Sequence, residues 1–175
     1  MSLADAIDIR YTQIEDAPFL RDWLLDARVR QWFPISEGKE LENAVQCWIG
    51  FARYQSSLTV TLDGVPCGIG TLFLMPYRKV AHHCLFKLVI DPRYQRQGIG
   101  RSLLRNLKHL AKSYFRLELI HIEVFDRNPL IHLLLQEGFS EFARQEGFVK
   151  EGEEYLARVL FQAFLVQEGD LCRPT

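Results

Sequence analysis

The chain has 175 residues, 48% hydrophobic and 25% charged, with 11 Gly, 7 Pro and a net charge of -1. That length suits one domain over residues 1–175 with a core of its own, and the composition excludes collagen-like, low-complexity and largely disordered chains. The near-zero net charge gives no general attraction to nucleic acid or acidic membranes, and no apolar run approaches the ~20 residues that cross a bilayer.

Met1 to Arg10 lacks a basic region followed by an apolar core, so a cytoplasmic protein is expected. Cys47, Cys67, Cys84 and Cys172 form no C-x-x-C pair, which predicts reduced thiols and no metal site.

The first element is a short strand near Ile7 to Tyr11. Asp16 and Pro18 then favour a helix start, and Phe19, Leu20, Trp23, Leu24 and Ala27 follow at helical spacing. A break at Trp32-Phe33-Pro34-Ile35-Ser36-Glu37-Gly38 precedes a second amphipathic helix carrying Leu41, Ala44, Val45, Trp48, Ile49 and Ala52 on one stripe. Leu58 to Leu62 and Val65 to Leu74 read as strands joined by the tight turn Asp63-Gly64.

His82 to Ile90 is a third consecutive strand and stops at Asp91-Pro92. From Ile99 the period becomes helical through Leu103, Leu104, Leu107, Leu110 and Ala111. Leu117 to Phe125 returns to a strand, followed by a short helix over Pro129 to Gln136. Phe139 to Val149 and Tyr155 to Leu165 close as a strand pair. This order predicts an α+β fold: a mixed, mostly antiparallel central sheet flanked by helices, with one helical crossover.

Gln95-Arg96-Gln97-Gly98-Ile99-Gly100 lies between a buried strand and an amphipathic helix, where backbone N–H groups and the positive helix end can hold an anion. Between Pro92 and Leu117 stand Arg93, Arg96, Arg101, Arg105, Lys108, Lys112 and Arg116 with no Asp or Glu. The charge favours a diphosphate; a G-x-G alone also fits a helix-start turn that needs glycine for geometry. A nucleic-acid surface would use the same stripe, but a single domain with a net charge of -1 argues against it.

The Q-x-x-G-x-G pattern, preceded by Leu88-Val89-Ile90-Asp91-Pro92 and followed by Leu103-Leu104, resembles the central motif of the GNAT (Gcn5-related N-acetyltransferase) superfamily. Downstream, Ile122-Glu123-Val124-Phe125 before Asn128, then Leu134-Leu135-Gln136-Glu137-Gly138-Phe139, is similar to that family's strand, asparagine and helix ending in Gly-Phe.

The resemblance implies a sheet splayed between its fourth and fifth strands, with acetyl-CoA in the opening as acyl-donor cosubstrate. Main-chain groups of Leu88, Val89 and Ile90 would pair with the pantetheine arm and acetyl carbonyl, and the amide of Val89 or Ile90 would face the developing oxyanion. The backbone of Gln95, Arg96, Gln97, Gly98, Ile99, Gly100 and Arg101 would cradle the pyrophosphate. Asn128 would hydrogen-bond the pantetheine arm, although a turn residue ahead of Pro129 is an equal reading.

The implied activity is an N-acetyltransferase acting on a primary amine, in a small molecule or at a protein N-terminus, by direct attack on the thioester. Two positions depart from the family: Leu134 stands where many members have a tyrosine acid, and Cys84 where others have a glutamate base. These departures motivate an alternative, a non-catalytic acyl-CoA-binding module. Glu123, His83 and Cys84 are the catalytic candidates, with His121 on one strand face with Glu123.

Trp32, Phe33 and Glu37 are the acceptor-binding candidates, their aromatic and acidic mix suiting a cationic amine with an apolar portion. The same aromatics also fit an ordinary core. The expected partner is the amine acceptor, with no nucleic acid or membrane, in a monomer or homodimer.

Overall fold

The computed structural model describes residues 7–166. Cys172 and Met1 to Ala6 lie outside that range. In chain order the elements are β1 (Ile7–Tyr11), α1 (Ala17–Leu25), α2 (Ala27–Arg30), α3 (Lys39–Gly50), β2 (Ser57–Leu62), β3 (Val65–Leu74) and β4 (His83–Ile90). They continue with α4 (Ile99–Ser113), β5 (Leu119–Phe125), α5 (Leu130–Gln136), β6 (Ser140–Glu151) and β7 (Glu154–Phe164). The seven strands form a sheet in the order β1-β2-β3-β4-β5-β7-β6, mostly antiparallel with β4 and β5 parallel. This is the α+β architecture that the sequence predicts.

The Asp63-Gly64 hairpin has both residues at positive φ, 49° and 80°, the left-handed pair a tight β-turn requires. One element was not anticipated. Asp26 is extended at ψ 122° and its side chain accepts from the Arg28 N–H, so it ends α1 and caps the separate four-residue α2. A carboxylate that satisfies a local backbone donor competes with helix continuation, and apolar spacing does not register that.

The chain divides into two compact units, residues 7–73 with 87–107 and residues 74–86 with 108–166. In the first, Leu20, Trp23 and Leu24 of α1 pack with Leu41, Val45, Trp48 and Ile49 of α3 over Ile69 and Val89. On β3, a Cβ at Gly70 would overlap Leu107, so glycine there allows α4 to approach the strand closely. A buried polar knot lies near β1: Asp16 accepts two bonds of 2.8 Å from Arg10, one of 2.8 Å from Thr59 Oγ1 and one of 2.9 Å from the Gln13 N–H. Such full pairing is what makes a buried carboxylate tolerable.

In the second unit, β5 presents Ile120, Ile122 and Val124 to the buried side, opposite Ala163, Phe161 and Val159 of β7. Leu134 of α5 is fully buried, and Phe86 and Phe139 stack 5.5 Å apart. Period-two alternation leaves Leu119, His121 and Glu123 on the other, half-buried face. Strand β6 is exposed along nearly all its length and carries two register shifts, features that blunt an edge strand.

Candidate active site

In the first unit, Leu88, Val89 and Ile90 are buried at the end of β4, and Asp91 follows with its carboxylate fully buried. Asp91 Oδ1 accepts from the Arg93 N–H at 2.9 Å. Oδ2 accepts from Arg93 Nη2 at 2.6 Å and from Trp23 Nε1 at 3.1 Å. Burial works against the charge, but the Arg93 donors and the indole outweigh it and hold the carboxyl below its ordinary value. The Asp91 N–H donates to the Cys67 carbonyl, so both ends of this residue are tied to the fold.

The turn beyond it is shaped by its own side chains. Gln95 Nε2 donates to the Ile90 carbonyl at 3.1 Å, and Gln97 Nε2 to the Arg93 carbonyl at 3.4 Å. Arg96 at φ 61° and Gly98 at φ 84° occupy the left-handed region. A Cβ at Gly98 would meet nothing within 4 Å, so the backbone angle, and not clearance against the protein, calls for glycine here.

The Gly98 carbonyl accepts from the Ser102 N–H, opening the fifteen-residue α4 with Ile99 and Gly100 in its first turn. Amides at a helix start lack intrahelical partners and sit at the positive end of the helix dipole. With the exposed Arg96 and Arg101 alongside, the segment can hold a diphosphate through main-chain donors.

The same unit contains the acceptor candidates. Phe33 packs edge-on to Trp48 at 5.8 Å, Trp48 to Phe73 at 6.0 Å, and Phe73 to Phe51 at 5.0 Å. Trp32 is half-buried. Glu37 is exposed, with its carboxylate 2.7 Å from Arg30. Lys87, which the sequence reading passed over, has its Nζ 5.6 Å from the centre of the Phe73 ring.

In the second unit the parallel register of β4 with β5 covers three pairs, His83 with Leu119, Cys84 with Ile120 and Leu85 with His121. His121 is therefore the last β5 residue in that register. The His83 and His121 rings lie 5.3 Å apart, and His82 stacks on His83 at 4.9 Å. Burial, then His82, holds His83 below the ordinary histidine value. Burial and His83 do the same to His121 against the opposite pull of Glu123.

His83 Nδ1 is buried with no hydrogen-bond partner among the described residues. Cys84 is fully buried, and burial pushes its thiol up to about 12. A thiol that keeps its proton throughout the working range has the setting of a packing residue.

Glu123 accepts from Arg158 Nη1 at 3.0 Å. Arg158 also donates to Gln145 at 2.8 Å and lies 4.3 Å from the centre of the Phe148 ring. Asn128 Oδ1 accepts from the Leu130 N–H, so its side chain supports the entry to α5. Among the described residues no group of three side chains could hold a metal ion.

Three tertiary features escaped the sequence reading: the Trp23 to Asp91 tie, the Arg158 partner of Glu123, and Lys87. Only Lys87 had a usable signal, as the sole charged side chain in the apolar run Cys84 to Ile90.

Residues 17–139 match the Acetyltransferase (GNAT) family. An L-amino acid N-acetyltransferase of Escherichia coli (strain K12) is 26% identical over 108 residues, covering 58% of this chain and 67% of that protein. Among solved structures, yncA of Salmonella typhimurium, determined with its cofactor acetyl-CoA, superposes with a TM-score of 0.75 at 17% identity over 97% of this chain and 98% of its own. A ribosomal-protein-alanine N-acetyltransferase of Brucella melitensis does so with a TM-score of 0.74 at 19% identity over 90% and 99%. The likeness to the two solved structures is one of fold. The family match covers most of the sequence, and the chain belongs to the GNAT family of acetyltransferases, enzymes whose acyl donor is acetyl-CoA.

Proposed function

We propose that this chain moves the acetyl group of acetyl-CoA to a primary amine, of a small molecule or a protein N-terminus, by direct attack on the thioester. The observation that carries the reading is the turn from Gln95 to Arg101. Two left-handed residues deliver the start of α4 within a stretch free of acidic side chains. In this reading the backbone of those residues binds the pyrophosphate, main-chain groups of Leu88, Val89 and Ile90 orient the pantetheine arm and acetyl carbonyl, and Asn128 supports the arm. The acetyltransferase activity of the Escherichia coli relative on an amino acid is consistent with an amine acceptor.

The reaction requires the amine nitrogen to lose a proton as it bonds to the carbonyl carbon, the C–S bond to break, and the departing sulfur to gain a proton. Glu123 and His83 are the groups suited to take the first proton. His83 is held neutral by burial, and Glu123 has one oxygen engaged by Arg158. Leu134 supplies no acid for the sulfur, so that proton comes from solvent or from the acceptor itself. A main-chain N–H of Val89 or Ile90 serves the oxyanion.

The departures at Leu134 and Cys84 favour one competing reading, a module that binds acyl-CoA without turning it over. Calorimetry with acetyl-CoA and CoA, followed by thiol release across a panel of amines, separates the two. Turnover of any amine supports the transferase. Tight binding with no turnover on any of them favours the module.

A further inference from the structure

We propose that the acceptor amine also bears a carboxylate, as an α-amino acid does, and that Lys87 is the residue that recognises it. The inference rests on the acyl-transfer reading above and names its substrate class. Lys87 is half-buried in β4, where ordering its side chain and stripping water from its ammonium both cost free energy. Such a cost is ordinarily offset by an acid. In the same unit the other half-buried cations, Arg10, Arg21 and Arg30, each have a carboxylate, respectively Asp16, Glu42 and Glu37.

Lys87 has none among the described residues, and its recorded contact is the face of Phe73. Phe73 is central to the ring series Phe33, Trp48, Phe73 and Phe51. One cation against an aromatic wall is the composition of a small-molecule site that orients its ligand by a single ionic contact.

Position and charge both point to the acceptor. Side chains of Lys87 and Val89 share one face of β4, two residues at ~3.3 Å of rise apart, and Val89 is where the acetyl carbonyl is proposed to lie. Phe33, an acceptor candidate, heads the same ring series. Glu37, the acid that would have attracted a second cationic group, is exposed and already paired with Arg30. A polyamine would bring another ammonium towards Lys87 and be repelled, whereas a carboxylate placed beyond the reacting amine would be drawn to it.

The test compares matched acceptors, each an L-amino acid with an apolar side chain and its primary amide, at saturating acetyl-CoA, in wild type, Lys87→Met and Lys87→Arg. With kcat/KM referred to the unprotonated amine of each acceptor, because an amide's α-amine gives up its proton more readily than the free acid's, wild type should favour the free acid. In Lys87→Met the ratio of kcat/KM for acid over amide should fall about tenfold to a hundredfold, through KM, the scale of one charged hydrogen bond. Lys87→Arg should restore most of it.

Transfer to amines with no preference for the acid in wild type, or an unchanged ratio in Lys87→Met, overturns the assignment and leaves the transferase standing. No transfer to any amine by a protein that binds acetyl-CoA overturns both. Should Lys87→Met fail to fold, the wild-type pairs and the Lys87→Arg ratio still decide.

Discussion

Trp23 Nε1 donates to Asp91 Oδ2 across 3.1 Å, fastening the first helix to the residue at which β4 ends and the glycine turn begins. The bond joins residues that are far apart in sequence, and Arg93 completes it by holding the same carboxylate. Trp23→Phe removes the donor and also shrinks a buried indole to a phenyl ring in the core. It should cost about 1–3 kcal/mol in urea denaturation and weaken acetyl-CoA several-fold by calorimetry. Asp91→Ala, which strands the buried indole N–H as well as freeing Arg93, should also cost about 1–3 kcal/mol. Affinity unchanged in a folded Trp23→Phe protein would show that the turn keeps its shape without the helix.

The glycine turn offers a direct test of ligand placement. At Gly98 an added side chain would project into space the protein leaves open, so Gly98→Glu should fold yet lose measurable acetyl-CoA affinity, its carboxylate competing for the diphosphate site. Gly98→Ala should retain weakened binding and lose about 1–2 kcal/mol of stability, the cost of a left-handed conformation with a Cβ. A folded Gly98→Glu protein that binds as wild type does would remove the diphosphate from this turn.

Two other glycines should respond in opposite directions. Gly70→Ala drives a Cβ into Leu107 with Leu103 close behind, an overpacking change expected to cost about 1–3 kcal/mol. Gly50, the last residue of α3, has helical angles and nothing within 4 Å of an added Cβ. Gly50→Ala should therefore stabilise by roughly 0.4–1 kcal/mol through the unfolded chain. Thermal and urea unfolding of the two variants side by side reads both signs.

The histidines give the fold an acid-side dependence. His83 and His121 are held below the ordinary value of 6.5, first by burial and then by a neighbouring histidine. The unfolded chain binds protons at a higher pH than the folded one. Their contribution is thus intact above about pH 6.5 and is lost as pH falls from there through the lower folded values. The stability difference between about pH 7.5 and pH 5.5 should shrink in the His83→Asn/His121→Asn double variant. Identical differences in variant and wild type would show the imidazoles to be solvated.

Thiol reactivity should sort by burial. Cys47 is exposed, whereas burial raises Cys67 to about 11 and Cys84 to about 12. In a Cys172→Ser background a thiol reagent should modify Cys47 promptly at neutral pH, and Cys67 and Cys84 only on unfolding. Mass mapping of the labelled sites checks this, and prompt labelling of Cys84 would return it to consideration as a base.

Local patterns carried much of the architecture. The β2–β3 hairpin was legible because Asp63-Gly64 is one of few pairs that accept two left-handed residues. The helix from Ile99 was legible because its apolar period is unbroken. The stop of α1 at Asp26 was not, since the capping bond of that side chain leaves no trace in hydrophobic spacing. Among the site residues, alternation in β4 separates His83 and Lys87 from Cys84 without saying which face is covered.

Sequence by itself therefore determined the order and type of the elements, the family, and the turn that holds the diphosphate in the proposed function, because each depends on residues close together along the chain. Tertiary structure decided the partnerships. Packing gave Asp91 to Trp23 and Glu123 to Arg158, buried the Cys84 thiol, and left Lys87 against an aromatic ring with no acid among the described residues. Hydrogen bonds and desolvation act through space over a few ångströms, and only folding decides which distant residues come that close.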